Sequence, residues 1–255
     1  MVIGAQLYTV RDFTKTPEAL SETLKRVADI GYRTVQLSGT CPYDAEWMRD
    51  ELSKNGLTCV LTHTPAKDIL EDTVRVCRDH SVFGCHNVGL GAIPGGKMTD
   101  EAYEAFVADF LPAAKTIRDM GKKFYYHNHA FEFVRDRNGK LFIDRLTEDF
   151  SEDLLGITLD TYWVQFAGAD PAAWLARLRG RVACVHLKDM APTFKNGNRM
   201  AVVGEGNLDF EKIIDAAEGA GTEYLLVEQD DCYGEDPFAC LSRSYRNLRS
   251  IGMKV

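Results

Sequence analysis

The stretch Phe124-Tyr125-Tyr126-His127-Asn128-His129-Ala130-Phe131-Glu132-Phe133 opens as an apolar run of strand type and closes on two imidazoles, an amide and a carboxylate. A strand that only fills a core has no physical reason to collect such groups at its end. Alternation along a strand sends His127 and His129 to one face and Asn128 to the other. Two neighbouring neutral imidazoles pack poorly, yet serve well as metal ligands or proton carriers. The plainer alternative is a pair of solvated loop histidines. Between the two, the deciding question is whether other segments bring matching chemistry to the same place.

Outward from this stretch the chain repeats one pattern. Strand-like runs at 2–8, 34–37, 57–62, 86–90, 124 onward, 155–159, 181–185 and 224–227 alternate with helical segments. The helices fall at 17–30, 44–55, 69–80, 100–120, 143–150 (weakly), 170–178, 210–220 and 237–251. Leu20, Leu24, Val27 and Ile30 make an apolar stripe at helical spacing, with Thr16 as N-cap, Pro17 at the first turn and Gly31 as the stop. Residues 195–207 read as a Gly/Asn-rich loop. Alternation at this rhythm indicates parallel pairing. Eight repeats with no linker between them fit a closed (β/α)₈ TIM barrel, with residues 1–255 as one domain. No Gly-x-Gly-x-x-Gly follows the first strand, which removes the best signature of a dinucleotide-binding sheet.

Composition narrows the partners. The 255 residues are 45% hydrophobic and 27% charged, ordinary for a globular chain. With 30 Lys and Arg against 38 Asp and Glu the formal net charge is −8, which disfavours nucleic acid or an anionic membrane as partner. No run approaches a membrane span. The opening Met1–Gln6 segment lacks the pattern of a signal peptide. Seven scattered cysteines without a Cys-x-x-Cys pair suggest a reducing compartment, so a cytoplasmic location is expected. A homo-oligomer is compatible with all of this.

In a barrel of this kind the loops after the strands share one face. Polar groups stand at most strand ends: Gln6, Gln36, His63, the His127/His129/Glu132 group, Asp160, His186 with Lys188, and Glu228. Glu228 closes an all-apolar run, where a carboxylate is costly unless paired or metal-bound. Two carboxylates, an imidazole and a fourth donor suit Mn²⁺, Mg²⁺, Co²⁺ or Zn²⁺. An open divalent ion of this type can chelate a carbonyl and stabilise an enediolate, or serve a hydrolase. Lys188 and Arg11 are candidates to hold substrate hydroxyls, a carboxylate or a phosphate. Tyr8, Phe131, Tyr162 and Trp163 could stack on a sugar, and Glu205 in Gly204-Glu205-Gly206-Asn207 could touch substrate.

Over essentially its whole length the chain resembles the sugar phosphate isomerase/epimerase family. These are xylose isomerase-like TIM barrels that include hydroxypyruvate isomerase, ketose 3-epimerases and inosose dehydratase. The motifs that carry the resemblance are Gln6-Leu7-Tyr8-Thr9-Val10-Arg11, Tyr126-His127-Asn128-His129, Leu159-Asp160-Thr161, His186-Leu187-Lys188-Asp189, Gly204-Glu205-Gly206 and Val227-Glu228.

The resemblance implies one divalent ion, commonly manganese, held by Glu, Asp, His and Glu. Asp160, His186 and Glu228 match the last three. The first glutamate falls at His127, so Glu132 curling back is the favoured fourth ligand and His127 the alternative. The implied activity is proton abstraction beside a metal-chelated carbonyl of a small sugar, with His127 or His129 on one face and Glu228 opposite. Isomerisation or epimerisation follows from reprotonation. Loss of a leaving group from a keto-sugar, 3-keto-glycoside or inosose is the runner-up, and a non-enzymatic sugar-binding barrel the third reading. Endonuclease IV shares the fold but needs a trinuclear zinc site and a basic DNA face, which six histidines and a charge of −8 do not support.

Overall fold

The computed structural model describes residues 1–253. Its strands are β1 (Val2–Gln6), β2 (Thr34–Leu37), β3 (Thr58–Thr62), β4 (Asn87–Leu90), β5 (Lys123–His127), β6 (Leu155–Asp160), β7 (Cys184–Leu187), β8 (Asp189–Pro192), β9 (Asn198–Ala201) and β10 (Tyr224–Val227). Eight of them pair in parallel in the order β3-β2-β1-β10-β7-β6-β5-β4, and β8 with β9 forms a separate antiparallel hairpin. This is the expected (β/α)₈ TIM barrel. Its seam lies between β3 and β4, where Thr64 N–H donates to the Gly89 carbonyl and the Asn87 amide to the Val60 carbonyl, each at 2.8 Å. The approach is close enough to demand Gly89, since a Cβ there would stand 2.1 Å from the Thr62 carbonyl oxygen.

Helices cover the outer face: α1 (Pro17–Ile30), α2 (Ala45–Lys54), α3 (Ala66–Glu71), α4 (Thr73–Val82), α5 (Asp100–Asp119), α6 (Phe142–Asp149), α7 (Thr161–Phe166), α8 (Pro171–Arg177), α9 (Phe210–Ala220) and α10 (Pro237–Ser250). Several start as the sequence directs. Thr16, Asp44, Asp170 and Asp236 each accept a first-turn N–H, with proline opening α1, α8 and α10. β4, β6 and β7 are buried along their whole length, as parallel strands between helices and barrel interior must be. Phe106, Phe110 and Phe124 stack between α5 and β5, with ring centroids 4.7 and 5.8 Å apart in sequence order. Among the described residues no helix is long and apolar enough to cross a membrane.

Four expectations need correction. The first strand stops at Gln6, because the Gln6 side chain caps the Tyr8 N–H at 2.8 Å and residues 7–13 wind into a 3₁₀ turn. The helix expected over 69–80 is two helices, broken at Asp72, whose φ of −151° is not helical and whose carboxylate caps Arg75. The seventh strand starts later than expected and contains His186, rather than ending before it. The loop expected over 195–207 is in part the β8–β9 hairpin. Its return is gathered by Asp189, which accepts N–H groups from Gly204, Gly206 and Leu208 at 2.9, 2.9 and 3.3 Å.

At the seam, His80 on α4 meets the Val76 carbonyl through Nδ1 (2.7 Å) and Thr62 Oγ1 through Nε2 (2.9 Å). A carbonyl only accepts, so Nδ1 donates and Nε2 takes the threonine proton, which keeps the ring neutral. Burial holds the His80 pKa down to about 4 from an ordinary 6.5. The unfolded chain therefore binds this proton first as pH falls, and stability drops between the two values. Chemical denaturation is expected to show His80→Gln losing roughly 2 kcal/mol less than the parent chain between pH 7 and pH 5. An unchanged pH dependence would remove His80 from the account.

Candidate metal and substrate site

The parallel register delivers the strand ends to one rim. β5 ends on His127 and β6 on Asp160, His186 stands opposite Asp160 in β7, and Glu228 follows β10 directly. One donor atom from each of these four lies within 4.8 Å of the others, and all four side chains are buried. Residues 26 to 101 positions apart in sequence thus share one small volume.

Hydrogen bonds decide which atoms face inward. His127 Nδ1 lies 2.8 Å from the Gly91 carbonyl and must donate to it, so Nε2 is the atom turned toward Asp160 Oδ2, 3.3 Å away. His186 Nε2 sits 2.7 Å from Gln36 Oε1 and donates to it, which leaves a lone pair on Nδ1. That Nδ1 is 2.8 Å from Glu228 Oε2, but the angles make no hydrogen bond and both atoms remain without one. Buried lone pairs turned on one point are what a cation completes, so the donor set fits a divalent ion. The carboxylates are braced in turn. Gln6 donates to Glu228 Oε1 at 3.1 Å, and Asp160 Oδ1 caps the Trp163 N–H at 3.0 Å. Asn128 accepts the Asp160 N–H at 3.0 Å.

Lys188 is fully buried against the same oxygens, with Nζ 2.9 Å from Asp160 Oδ2 and 3.1 Å from Glu228 Oε2. Asp230 adds two more oxygens at 3.0 Å. Burial opposes the ammonium, yet Asp160, Glu228 and Asp230 together raise its pKa above the ordinary lysine value. The carboxylates respond oppositely to one another. Burial pushes Asp160 and Glu228 up, but Lys188 and the imidazoles outweigh it and hold both low. Asp230, lifted by burial and by the Glu228 charge, stands at about 7. An ion in the cluster would share oxygens with Lys188, and Asp230 keeps a partner for the ammonium.

Glu132, the favoured fourth ligand by resemblance, lies outside this set. It is fully buried, but Oε1 accepts from the Tyr126 hydroxyl at 2.6 Å and Oε2 from the His129 N–H at 2.8 Å. Both oxygens are thereby spent on fixing the turn after β5. Glu205 is likewise diverted, paired with Arg243 at 2.9 Å. Arg11 donates to the Tyr8 carbonyl at 2.9 Å and stacks 4.3 Å over its half-exposed ring.

His63 and His129 do join the cluster. The His63 ring centroid is 5.2 Å from that of His127 and 5.5 Å from that of His186, and His129 lies 4.8 Å from His127. Burial and the neighbouring imidazoles lower both, His129 to about 3. His129 stacks on Phe131 and stands 5.3 Å from Trp163, whose ring is 5.8 Å from Lys188 Nζ.

Two residues escaped the sequence reading. Thr161 ties β6 to β7, donating from Oγ1 to the Lys188 carbonyl at 2.8 Å and accepting the Lys188 N–H at 3.0 Å. Asp230 stands two positions after Glu228, and that spacing was the available signal for a shared face.

With this geometry in view, residues 24–242 match the xylose isomerase-like TIM barrel family. The chain belongs to that family. Among curated relatives it is 24% identical over 192 residues to an inosose dehydratase of Geobacillus kaustophilus (strain HTA426), covering 66% of this chain and 61% of the relative. An inosose dehydratase of Clostridium beijerinckii is 31% identical over 165 residues, covering 57% and 54%. The matches thus span between half and two thirds of these relatives' length. A sugar phosphate isomerase/epimerase from Parabacteroides distasonis superposes with a TM-score of 0.81 at 19% identity, covering 98% of this chain and 94% of that one. An L-ribulose 3-epimerase superposes at 0.74 and 17%, covering 99% and 95%. These likenesses show the fold.

Calorimetric titration of Mn²⁺ into the purified protein is expected to give one site. Asp160→Ala and His127→Ala should weaken it by at least about tenfold, and Glu132→Gln by far less. Loss of the site in Glu132→Gln with wild-type affinity in His127→Ala would reverse the assignment.

Proposed function

We propose that the chain is a divalent-metal-dependent sugar isomerase or epimerase that removes the proton from the carbon beside a carbonyl. The observation that carries this reading is the convergence of His127, Asp160, His186 and Glu228 within 4.8 Å of one another. Their mixed imidazole and carboxylate chemistry suits Mn²⁺ first, with Mg²⁺, Co²⁺ and Zn²⁺ as alternatives. When bound, such an ion supplies Lewis-acid stabilisation of the negative charge that develops on the carbonyl and its neighbouring oxygen.

In this reading His127 is the fourth ligand and Glu132 holds the turn that aims His127 and His129. Lys188 keeps its proton, because three carboxylates raise its pKa, so it acts as a donor to the developing oxyanion rather than as a base. Glu228 takes the proton on one face. His129, kept neutral by burial and with Nδ1 buried and without a partner, takes or returns it on the other. Return to the neighbouring carbon interconverts ketose and aldose, and return to the same carbon from the opposite face epimerises it.

A second reading has its own support. The curated relatives are inosose dehydratases. The same proton removal followed by departure of a β-hydroxyl, protonated as it leaves, gives water and an unsaturated ketone. Seven unbridged thiols favour a reducing compartment, the cytoplasm, for either activity.

Incubation with Mn²⁺ in D₂O and a panel of ketoses and keto-cyclitols separates the readings. Deuterium beside the carbonyl, detected by NMR, is expected for an isomerase or epimerase, and loss of 18 mass units with a new ultraviolet band for a dehydratase. His129→Gln should slow exchange by about a hundredfold with Mn²⁺ affinity retained. Wild-type exchange in chelator-stripped protein would defeat both readings.

A further inference from the structure

We propose that the β8–β9 hairpin is an arm by which two copies of this chain pair, the arm of each lying on the acidic rim of the other. Such pairing is independent of the proposed reaction.

The hairpin is rooted at its base and bare at its tip. Asp189 gathers the returning chain, the Met190 carbonyl accepts the Asn207 N–H at 2.7 Å, and the Met200 N–H donates to the Tyr233 hydroxyl at 3.1 Å. Met190 and Met200 are buried against Tyr162. Both strands are thus held, and the tip has no hinge on which to fold onto its own mouth. Thr193 and Gly197 close the turn on themselves, with Asn196 at a φ of 57°. Residues 194–199 are all exposed, and among the described residues none from 193 to 199 hydrogen-bonds to another element. Phe194 presents its whole ring to solvent, more than any other large apolar residue described. A rooted stalk that carries a phenyl ring into water gains burial only when another surface covers that ring.

Charge says what covers it. From Met190 to Gly204 the arm carries Lys195 and Arg199 and no acidic side chain, in a chain of net charge −8. Neither cation makes an ion pair among the described residues, and Arg199 only approaches the Tyr233 ring, at 5.8 Å. β7, β10 and β1 are neighbours in the barrel, so the segments after them form one sector of the strand-end face. In order these are the arm, then Asp231 with exposed Tyr233, then Asp12 near exposed Tyr8. Asp12 and Asp231 are exposed, and among the described residues neither pairs with a cation. One end of the sector is therefore basic with a bare phenyl, and the other is acidic with bare phenols. Such a patch is self-complementary about a two-fold axis through its middle, the commonest way in which identical chains close an assembly. An anionic membrane fits the sector less well, because it would meet Asp12 and Asp231 along with the arm.

Sedimentation velocity of the full chain over a range of concentrations tests this. The parent is expected to dimerise. Phe194→Ser should raise the dissociation constant at least about tenfold without moving the thermal midpoint, since the ring is fully exposed in the single chain. Two charge variants separate arm from rim. Lys195→Glu with Arg199→Glu reverses the arm, and Asp12→Lys with Asp231→Asn reverses the rim while leaving an oxygen for the Tyr233 N–H. Each variant alone is expected to sediment as a monomer. An equimolar mixture of the two should dimerise, because arm and rim then carry opposite charge at both contacts. A parent that stays monomeric at about 100 µM, a dimer that survives these substitutions, or a mixture that fails to recover overturns the inference. So does a monomeric parent that binds phosphatidylserine vesicles through Lys195 and Arg199.

Discussion

Burying the carboxylates of Asp160 and Glu228 is the constraint to which the rest of the barrel mouth answers. Each is buried, and removing a carboxylate from water costs several kcal/mol unless opposite charge and hydrogen bonds replace the lost hydration. Lys188 supplies the charge from within the same volume, and Gln6 and the Trp163 N–H supply the hydrogen bonds. Three carboxylates around one ammonium remain short of cation. That deficit, more than any single residue, makes a divalent ion fit the cluster.

The fold makes this concentration sustainable by bracing each group from a neighbouring strand. Gln36 of β2 orients His186 of β7 across the barrel, Gln6 of β1 holds Glu228 after β10, and Thr161 after β6 clasps both backbone groups of Lys188. These braces come from residues up to 222 positions apart. Glu132 belongs to the same supporting class: its carboxyl, raised to about 7 by burial against the pull of Tyr126 and the His129 N–H, pins the turn that carries two histidines. A family of sites built on one barrel can therefore change chemistry at its rim while leaving the ring of strands alone.

Much of the barrel was legible because its signals are local. Helical stripes such as Leu20, Leu24 and Val27, caps such as Thr16 with Pro17, and short apolar runs ending in His, Asp or Glu act within a few residues. Three of the four misreadings arose where a side chain overrode local pattern. Gln6 turned the first strand into a 3₁₀ turn, Asp72 broke a helix, and Asp189 gathered a glycine-rich return against a hairpin. In each case one polar side chain captured backbone N–H groups that the periodicity had assigned elsewhere.

The sequence by itself determined the eightfold strand–helix rhythm and the presence of Asp160, His186, Lys188 and Glu228 at strand ends. Alternation and capping are set by neighbours along the chain. Only the tertiary structure decided which atoms meet. It turned His127 Nε2 inward through the Gly91 carbonyl, spent both oxygens of Glu132 on Tyr126 and His129, and drew Glu205 away to Arg243. A lone pair points where its hydrogen-bonding partners leave it free to point. The partners of His127 and Glu205 sit on other elements, dozens of residues away, and those of Glu132 meet it only because the chain turns back after β5, so none is set by periodicity along the chain.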